Sequence, residues 1–191
     1  MDEVEAIEAV LDAIESLGIH YVVVGSLSSN AYGVVRTTQD ADILIEVQSS
    51  DMARLRNAIG PPLRWQSQLD FETVTGKTQH SILLDDPIFC IELFQIGDDP
   101  FDRSRMARRL QRRVGSGRRY VPTAEDVVLQ KLRWFHALHR AKDWDDVVSV
   151  LAAQSGRLDG HYLRSWADRL GIRADLDRAV AEVPPETDPE A

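Results

Sequence analysis

The sequence predicts an α+β fold, in which a mixed β-sheet is flanked by helices and a helical subdomain follows at the C-terminal end. Short apolar runs typical of strands alternate with helical patterns as far as residue 95, whereas helical patterns dominate after residue 122. A sheet of this kind is stable only when helices cover its apolar face. The predicted boundaries are a core over residues 1–121, a helical subdomain over 122–183 and a disordered polar tail over 184–191.

The elements of the chain follow from apolar spacing and from the residues that end each run. Apolar side chains recur every three or four residues between positions 4 and 17, which predicts a helix that ends at Gly18. After the core, Thr123 is expected to cap a long helix that continues to about His139. The other predicted core elements are strands at 20–24, 40–47, 80–84 and 88–94 and helices at 27–33 and 50–59.

Arginine is concentrated between residues 103 and 119, where eight of the seventeen positions carry it. Five of these arginines have the spacing of one helix face, while Phe101, Met106 and Leu110 fall on another, so an amphipathic helix is predicted over 101–114. Two interpretations of the arginine face remain open: a solvated surface paired in part with the acidic first helix, or a surface that contacts phosphate groups. The five arginines are Arg105, Arg108, Arg109, Arg112 and Arg113.

Two carboxylates open the second predicted strand. Asp40 and Asp42 are two residues apart, and because strand side chains alternate between faces, both point to the same side and can share divalent cations. Upstream, Gly25 and Ser26 follow the first strand, where a glycine lets backbone approach an anion and a helix N-terminus offers free N–H groups to phosphate. The alternative is purely structural: Ser26 caps a helix and the aspartates end a loop.

The order and spacing of these residues resemble the nucleotidyltransferases of the DNA polymerase beta type. Their pattern is Gly-Gly or Gly-Ser, a spacer, Asp-x-Asp at a strand start and a third carboxylate on a neighbouring strand. Glu92 occupies the third position here, with Asp70 and Glu72 as alternatives. The resemblance implies Mg²⁺ or Mn²⁺ held by Asp40, Asp42 and Glu92, and a nucleoside triphosphate held by Gly25, Ser26 and Arg36, although Arg36 read alone is a surface loop residue.

A second resemblance covers the helical subdomain. The segments 124–131 and 140–146 resemble the helical pair of the AbiEii-like and MenT-like bacterial toxin nucleotidyltransferases. By this match Lys131 contacts the triphosphate, Asp143 acts beside it in catalysis and Asp146 is the last aspartate of the pattern. Such a role predicts that Lys131→Ala lowers transfer with little change in melting temperature, whereas the alternative interpretation is a surface ion pair.

Composition excludes several classes of protein. With 43% hydrophobic and 28% charged residues the chain is ordinary globular material, and no apolar run approaches the roughly 20 residues of a membrane span. The acidic N-terminus does not resemble a secretory signal, so a cytoplasmic location and no membrane partner are expected. A net charge of -9 argues against a protein that coats nucleic acid nonspecifically. The single cysteine, Cys90, is interpreted as a small core residue.

The resemblance implies an Mg²⁺-dependent enzyme that transfers a nucleoside monophosphate from an NTP to an acceptor. The first hypothesis is an RNA or tRNA acceptor in a toxin–antitoxin or abortive-infection context with a cognate antitoxin protein; Arg105, Arg108, Arg109 and Arg112 would then bind the acceptor. The second is a protein acceptor, which the overall acidity suits. The third is a noncatalytic nucleotide-binding module of the same fold.

Overall fold

A computed structural model describes residues 1–35, 37–85 and 88–183 of the chain. The contacts divide it into two compact units, each of which has its own core. The first unit consists of Met1–Ser28 and Thr37–Pro122, and the second contains residues 29–35 and 123–183. The tail at 184–191, for which disorder is predicted, lies outside the described residues.

The first unit is built on a mixed sheet, as predicted. Its path runs β1-β2-β6-β5-β3, with β4 also paired to β5. Strands β2 and β6 are parallel, and the other described pairs in this sheet are antiparallel. The strands are β1 (His20–Val23), β2 (Asp40–Glu46), β3 (Arg64–Trp65), β4 (Asp70–Phe71), β5 (Thr78–Leu84) and β6 (Phe89–Gln95).

The two faces of β2 and β6 differ in burial because side chains alternate along each strand. Ala41, Ile43 and Ile45 of β2 are fully buried, as are Ile91 and Leu93 of β6. The opposite face of the first residues of both strands is half-buried and carries the acidic side chains of the candidate site. The core therefore fixes the strand register, and the register in turn fixes which polar residues are neighbours.

Four helices begin in the first unit: α1 (Glu3–Ser16), α2 (Gly25–Asn30), α3 (Ser49–Ala58) and α4 (Pro100–Arg108). Asp2 caps α1 by accepting a 2.8 Å hydrogen bond from the Glu5 amide, and the Glu5 carboxylate accepts a hydrogen bond from the Asp2 amide. The apolar side of α1, with Val10 and Ile14, is fully buried. Asp99 caps α4, whose first residue is Pro100.

The predicted arginine helix over 101–114 is wrong in its second half. Helix α4 ends at Arg108, and the chain continues into a hairpin of β7 (Leu110–Val114) and β8 (Gly117–Val121). Gly115 and Ser116 form its two-residue loop, with Gly115 at a φ of 62°. A glycine at the first loop position suits a tight hairpin turn, and this local signal outweighs the helical spacing of the arginines.

The second unit is helical, and no strand lies in its described residues. Its helices are α5 (Ala124–Leu138), α6 (Ala141–Ala153), α7 (Gly160–Leu170) and α8 (Arg173–Glu182). Thr123 caps α5 by accepting a hydrogen bond from the Asp126 amide, as its position before the acidic first turn predicts. Within the described ranges, no helix combines the length and the apolar character of a membrane span.

Candidate active site

The turn between β1 and α2 lies directly against a carboxylate of β2. Gly25, the first residue of α2, has a φ of 62°, and a Cβ placed on it would lie 2.7 Å from Cγ of Asp42. The Val24 amide donates a 2.8 Å hydrogen bond to the Asp42 carbonyl oxygen, which fixes the two segments together. Only glycine has both the backbone freedom and the missing side chain that this approach requires.

Asp42 and Glu92 are register partners on the parallel strands β2 and β6. Their carboxyl groups lie within hydrogen-bonding reach of each other. Burial raises the pKa of Glu92, and the nearby charge of Asp40 raises it further, while hydrogen bonds with Asp42 and Gln79 lower it. The structure thus brings together Asp42 and the residue that the family resemblance implies as the third carboxylate.

Asp40 is oriented by a neighbour that the sequence reasoning missed. The hydroxyl of Thr38 donates hydrogen bonds to Oδ1 of Asp40 at 2.7 Å and to its carbonyl oxygen at 3.1 Å. Asp40 pairs in register with Cys90 and is half-buried. The signal in the sequence was a hydroxyl residue two positions before an aspartate, a spacing typical of local side-chain to backbone hydrogen bonds.

Strand β5 contributes polar groups to the same face. Ser81 is the register partner of Glu92 on β5, and Gln79 hydrogen-bonds to the Glu92 carboxylate. The Cys90 thiol, which also hydrogen-bonds to Ser81, has its pKa raised to about 11 by burial first and then by the charge of Glu92. It is half-buried on the polar face, which corrects its interpretation as a core residue.

The two alternatives for the third carboxylate have different surroundings. Glu72 is buried and accepts hydrogen bonds from the amides of Val74 and Thr75 and from the Thr75 hydroxyl, so it holds its own loop together. Asp70 raises the pKa of Glu92, but less than Asp40 does. Glu92 is therefore the carboxylate that lies beside the Asp-x-Asp pair.

The donor chemistry of this face fits a divalent cation. Carboxylate oxygens are the ligands that Mg²⁺ and Mn²⁺ favour, and a cation would relieve the repulsion that raises the pKa of Glu92. No group of three or more His, Cys, Asp or Glu side chains among residues 1–35, 37–85 and 88–183 is arranged closely enough to hold a metal ion. Asp42 and Glu92 are in contact, and Asp40 is the nearby third carboxylate.

Lys131 of α5 lies in the second unit, in a buried ion network with α6. Its ammonium is 2.7 Å from Oδ2 of Asp146 and 3.4 Å from Oδ1 of Asp143, and Arg140 donates a 2.6 Å hydrogen bond to Oδ2 of Asp143. Lys131 is 7% exposed and Asp143 is fully buried. The pair is therefore not the surface ion pair that the structural interpretation of the sequence predicts. Removal of one partner from a buried pair is costly, so stability is expected to depend on Lys131.

The predicted site residues fall into separate groups. Gly25, Ser26, Asp40, Asp42 and Glu92 belong to the first unit, where Gly25, Asp42 and Glu92 are neighbours and Ser26 is buried. Lys131, Asp143 and Asp146 are together in the second unit. Arg36, predicted to bind nucleotide, lies outside the described residues.

The four arginines predicted to bind an acceptor do not form one helix face. Arg105 is buried and donates a 2.5 Å hydrogen bond to Asp102. Arg109, just after α4, donates to the Met106 carbonyl oxygen and stacks on the Tyr120 ring with its guanidinium carbon 4.8 Å from the ring centroid. Arg108 ends α4, and Arg112 is exposed on β7. The cause is the hairpin, which turns the last arginines away from the helix axis.

Comparison with known proteins identifies the fold. No protein-family model matches the chain, and no curated protein matches it. Among solved structures, the solution structure of the antibiotic-resistance factor ANT(2'')-Ia is 13% identical with a TM-score of 0.57, and the match covers 94% of this chain and 93% of that one. The crystal structure of ANT(2'')-Ia with adenylyl-2''-tobramycin is 12% identical with a TM-score of 0.56, over 92% and 97% of the two chains.

A third similar structure is an antigenic nucleotidyltransferase-like protein from Paracoccidioides brasiliensis. It is 18% identical with a TM-score of 0.56, and the match covers 93% of this chain and 92% of that one. At these identities the likeness concerns the fold alone. The chain has the α+β nucleotidyltransferase fold that the sequence predicts.

Proposed function

We propose that the protein is a divalent-metal-dependent nucleotidyltransferase that transfers a nucleoside monophosphate from an NTP to an acceptor hydroxyl. One observation carries the proposal. Asp42 and Glu92 are hydrogen-bonded register partners on a half-buried sheet face, beside Asp40 and against the backbone of Gly25. Carboxylates that lie close enough together to raise one another's pKa are typical of metal-dependent phosphoryl chemistry rather than of a stabilising core.

In the proposed reaction Asp40, Asp42 and Glu92 would hold Mg²⁺ or Mn²⁺. When bound, the metal supplies charge neutralisation for the triphosphate and lowers the pKa of the acceptor hydroxyl. Thr38 keeps the Asp40 carboxylate in one orientation through its 2.7 Å hydrogen bond. Gln79 does the same for Glu92 from β5. The acceptor hydroxyl loses its proton to solvent, and in-line attack of its oxygen on the α-phosphate forms the new phosphoester, breaks the α–β phosphoanhydride bond and releases pyrophosphate.

Further residues are proposed to bind the triphosphate. The backbone at Gly25 and Ser26 is the candidate for the β- and γ-phosphates, and Arg36 is a second candidate. Lys131 and Asp143 take their proposed catalytic roles from the resemblance to the toxin nucleotidyltransferases. Their charges are balanced by Arg140 and Asp146 within the network, so a phosphate contact of Lys131 requires it to exchange a carboxylate for a phosphate oxygen.

The identity of the acceptor is a separate part of the proposal. RNA or tRNA is the acceptor that the toxin resemblance implies, and a cognate antitoxin belongs to the same prediction. ANT(2'')-Ia, similar in fold, has a structure with adenylyl-2''-tobramycin, so small molecules belong in the same assay. A protein acceptor and a noncatalytic module are the remaining outcomes.

A label-transfer experiment tests the proposal. The protein is incubated with each α-labelled NTP, Mg²⁺, total RNA, lysate protein and a small-molecule extract, and label is measured in each fraction. We expect label in RNA, and loss of more than about a hundredfold in rate for Asp42→Asn because its carboxylate is needed for the metal.

The matched control is Asp98→Asn, which removes an exposed carboxylate of the same unit and should leave the rate unchanged. If label appears in protein or in small molecules instead of RNA, that fraction contains the acceptor and the RNA proposal is wrong. No label in any fraction, or equal rates for Asp42→Asn and wild type, contradicts the proposed enzyme.

A further inference from the structure

The hairpin of β7 and β8, called here the basic hairpin, is held in place by acidic residues of α1. Glu8 accepts hydrogen bonds from the amide of Ser116 at 2.7 Å and from its hydroxyl at 2.5 Å. Buried Arg119 donates to Asp12 at 2.6 Å and to Glu15 at 3.0 Å. Both the loop and the second strand are therefore anchored, and the hairpin presents a fixed surface.

The other arginines of the basic hairpin are exposed and have no acidic partner among the described residues. Arg112, Arg113 and Arg118 are all exposed. The hydrogen bond recorded for Arg118 goes to the Gln111 carbonyl oxygen at 3.4 Å. Three positive charges thus remain unneutralised on one short hairpin, in a chain whose net charge is -9.

The register sets these charges directly opposite one another. Arg113 pairs with Arg118 and Arg112 with Arg119 across the antiparallel strands. Directly opposite side chains have Cβ atoms about 4.5–5.5 Å apart, and like charges at that spacing destabilise a sheet. Arg119 is neutralised by α1, but the Arg113–Arg118 pair is not. Folding therefore does not account for the arginines at these two positions.

We propose that the basic hairpin binds the sugar–phosphate backbone of RNA, the acceptor of the transfer reaction, an identification that rests on the function proposed above. Arg113 and Arg118, which share one face of the hairpin, contact phosphates, and closely spaced phosphates relieve the repulsion between them. Guanidinium groups suit phosphate because they donate paired hydrogen bonds in a fixed plane. An anchored hairpin loses little conformational entropy on binding. An acidic protein segment is the competing occupant.

The test is the salt dependence of RNA binding. Fluorescence anisotropy of a labelled oligouridylate, about 20 nucleotides long so that it spans the hairpin, is measured at several salt concentrations. We expect the affinity to fall steeply with salt. The double variant Arg113→Gln/Arg118→Gln should lose about tenfold or more in affinity, with a salt slope shallower by about two units.

Two further variants serve as controls. Arg54→Gln/Arg64→Gln removes the same charge from the same unit, at residues paired with Asp51 and Asp85, and should bind like wild type. Arg113→Lys/Arg118→Lys keeps the charge and should retain the salt slope. The glutamine double variant should melt at or above the wild-type temperature, because it removes a repulsion.

Three results overturn the inference: no binding of oligouridylate at low salt, an equal loss in the Arg54/Arg64 control, or binding of poly-glutamate as tight as that of RNA. Calorimetry of NTP with Mg²⁺ on the same preparations separates the two proposals. If NTP binding requires Mg²⁺ but the Arg113→Gln/Arg118→Gln variant binds RNA like wild type, the hairpin inference alone fails. If the Arg113→Gln/Arg118→Gln variant loses RNA affinity but NTP does not bind, the hairpin inference is confirmed and the transferase function fails.

Discussion

The backbone of Gly25 lies directly against the carboxylate of Asp42, a candidate metal ligand. The sequence predicts that both belong to one site, but their direct contact is seen only in the structure. The partners Gln79 and Ser81 could not be predicted. Which residues of β5 lie beside Glu92 depends on strand register, and the register of two strands is not readable from either strand alone.

Replacement of Gly25 tests the close approach of the turn to Asp42. We expect Gly25→Ala to lower the free energy of unfolding by more than the roughly 1 kcal/mol that a left-handed backbone costs a non-glycine residue, because its Cβ also overlaps the Asp42 carboxylate. The overlap should also displace the Asp42 carboxylate, and this displacement should weaken NTP binding. Urea denaturation and calorimetry measure the two effects.

Gly18→Ala is the matched control for this replacement. Gly18 has a φ of 68° in the same unit, yet a Cβ there would meet nothing within 4 Å. The control should show the backbone cost without the steric one. Equal destabilisation by both substitutions, together with unchanged NTP binding, would mean that Gly25 has no special role beside Asp42.

Among the elements, helices α1, α3 and α5 were well predicted, and the basic hairpin was not. Helix α1 was expected at 2–17 and is found at Glu3–Ser16, because its apolar spacing and its capping residues indicate the same element. In the arginine segment the spacing of the arginines and of the apolar residues predicted a helix that continues to residue 114, but the helix ends at Arg108. Gly115 and Ser116 favour a two-residue hairpin loop, and this turn decides the local structure.

The pair of helices α5 and α6 is joined by the ion network of Lys131. We expect Lys131→Ala to destabilise the protein by about 3–5 kcal/mol, because it leaves Asp143 and Asp146 buried with one cation fewer. The melting temperature should fall, in contrast to the small change that an exclusively catalytic lysine predicts. Thermal denaturation followed by circular dichroism measures it.

Lys142→Ala provides the control on α6, since Lys142 is exposed and has the same charge. Its melting temperature should stay within the range of an ordinary surface substitution. If Lys131→Ala melts like Lys142→Ala but loses transfer activity, the network does not stabilise the helix pair and Lys131 acts on substrate alone.

For the whole molecule, the sequence predicts the fold class because two periodicities alternate clearly along the first half of the chain and one dominates the second. The mixed sheet, its helices and the helical C-terminal unit are all present. The proposed reaction also requires charged side chains whose positions do not stabilise the fold. The carboxylates of β2 and β6 and the exposed arginines of the basic hairpin are two such groups among the described residues of the first unit.

The most direct measurement of the central claim is calorimetry of NTP binding with and without Mg²⁺, for wild type, Asp42→Asn and Asp98→Asn. Asp42 and Glu92 raise the electrostatic cost of bringing a triphosphate to their sheet face, and a divalent cation removes that cost. We predict binding by wild type and Asp98→Asn only when Mg²⁺ is present, and none by Asp42→Asn, with all three proteins melting alike. Equal NTP affinity with and without Mg²⁺, or full affinity in Asp42→Asn, would contradict the account.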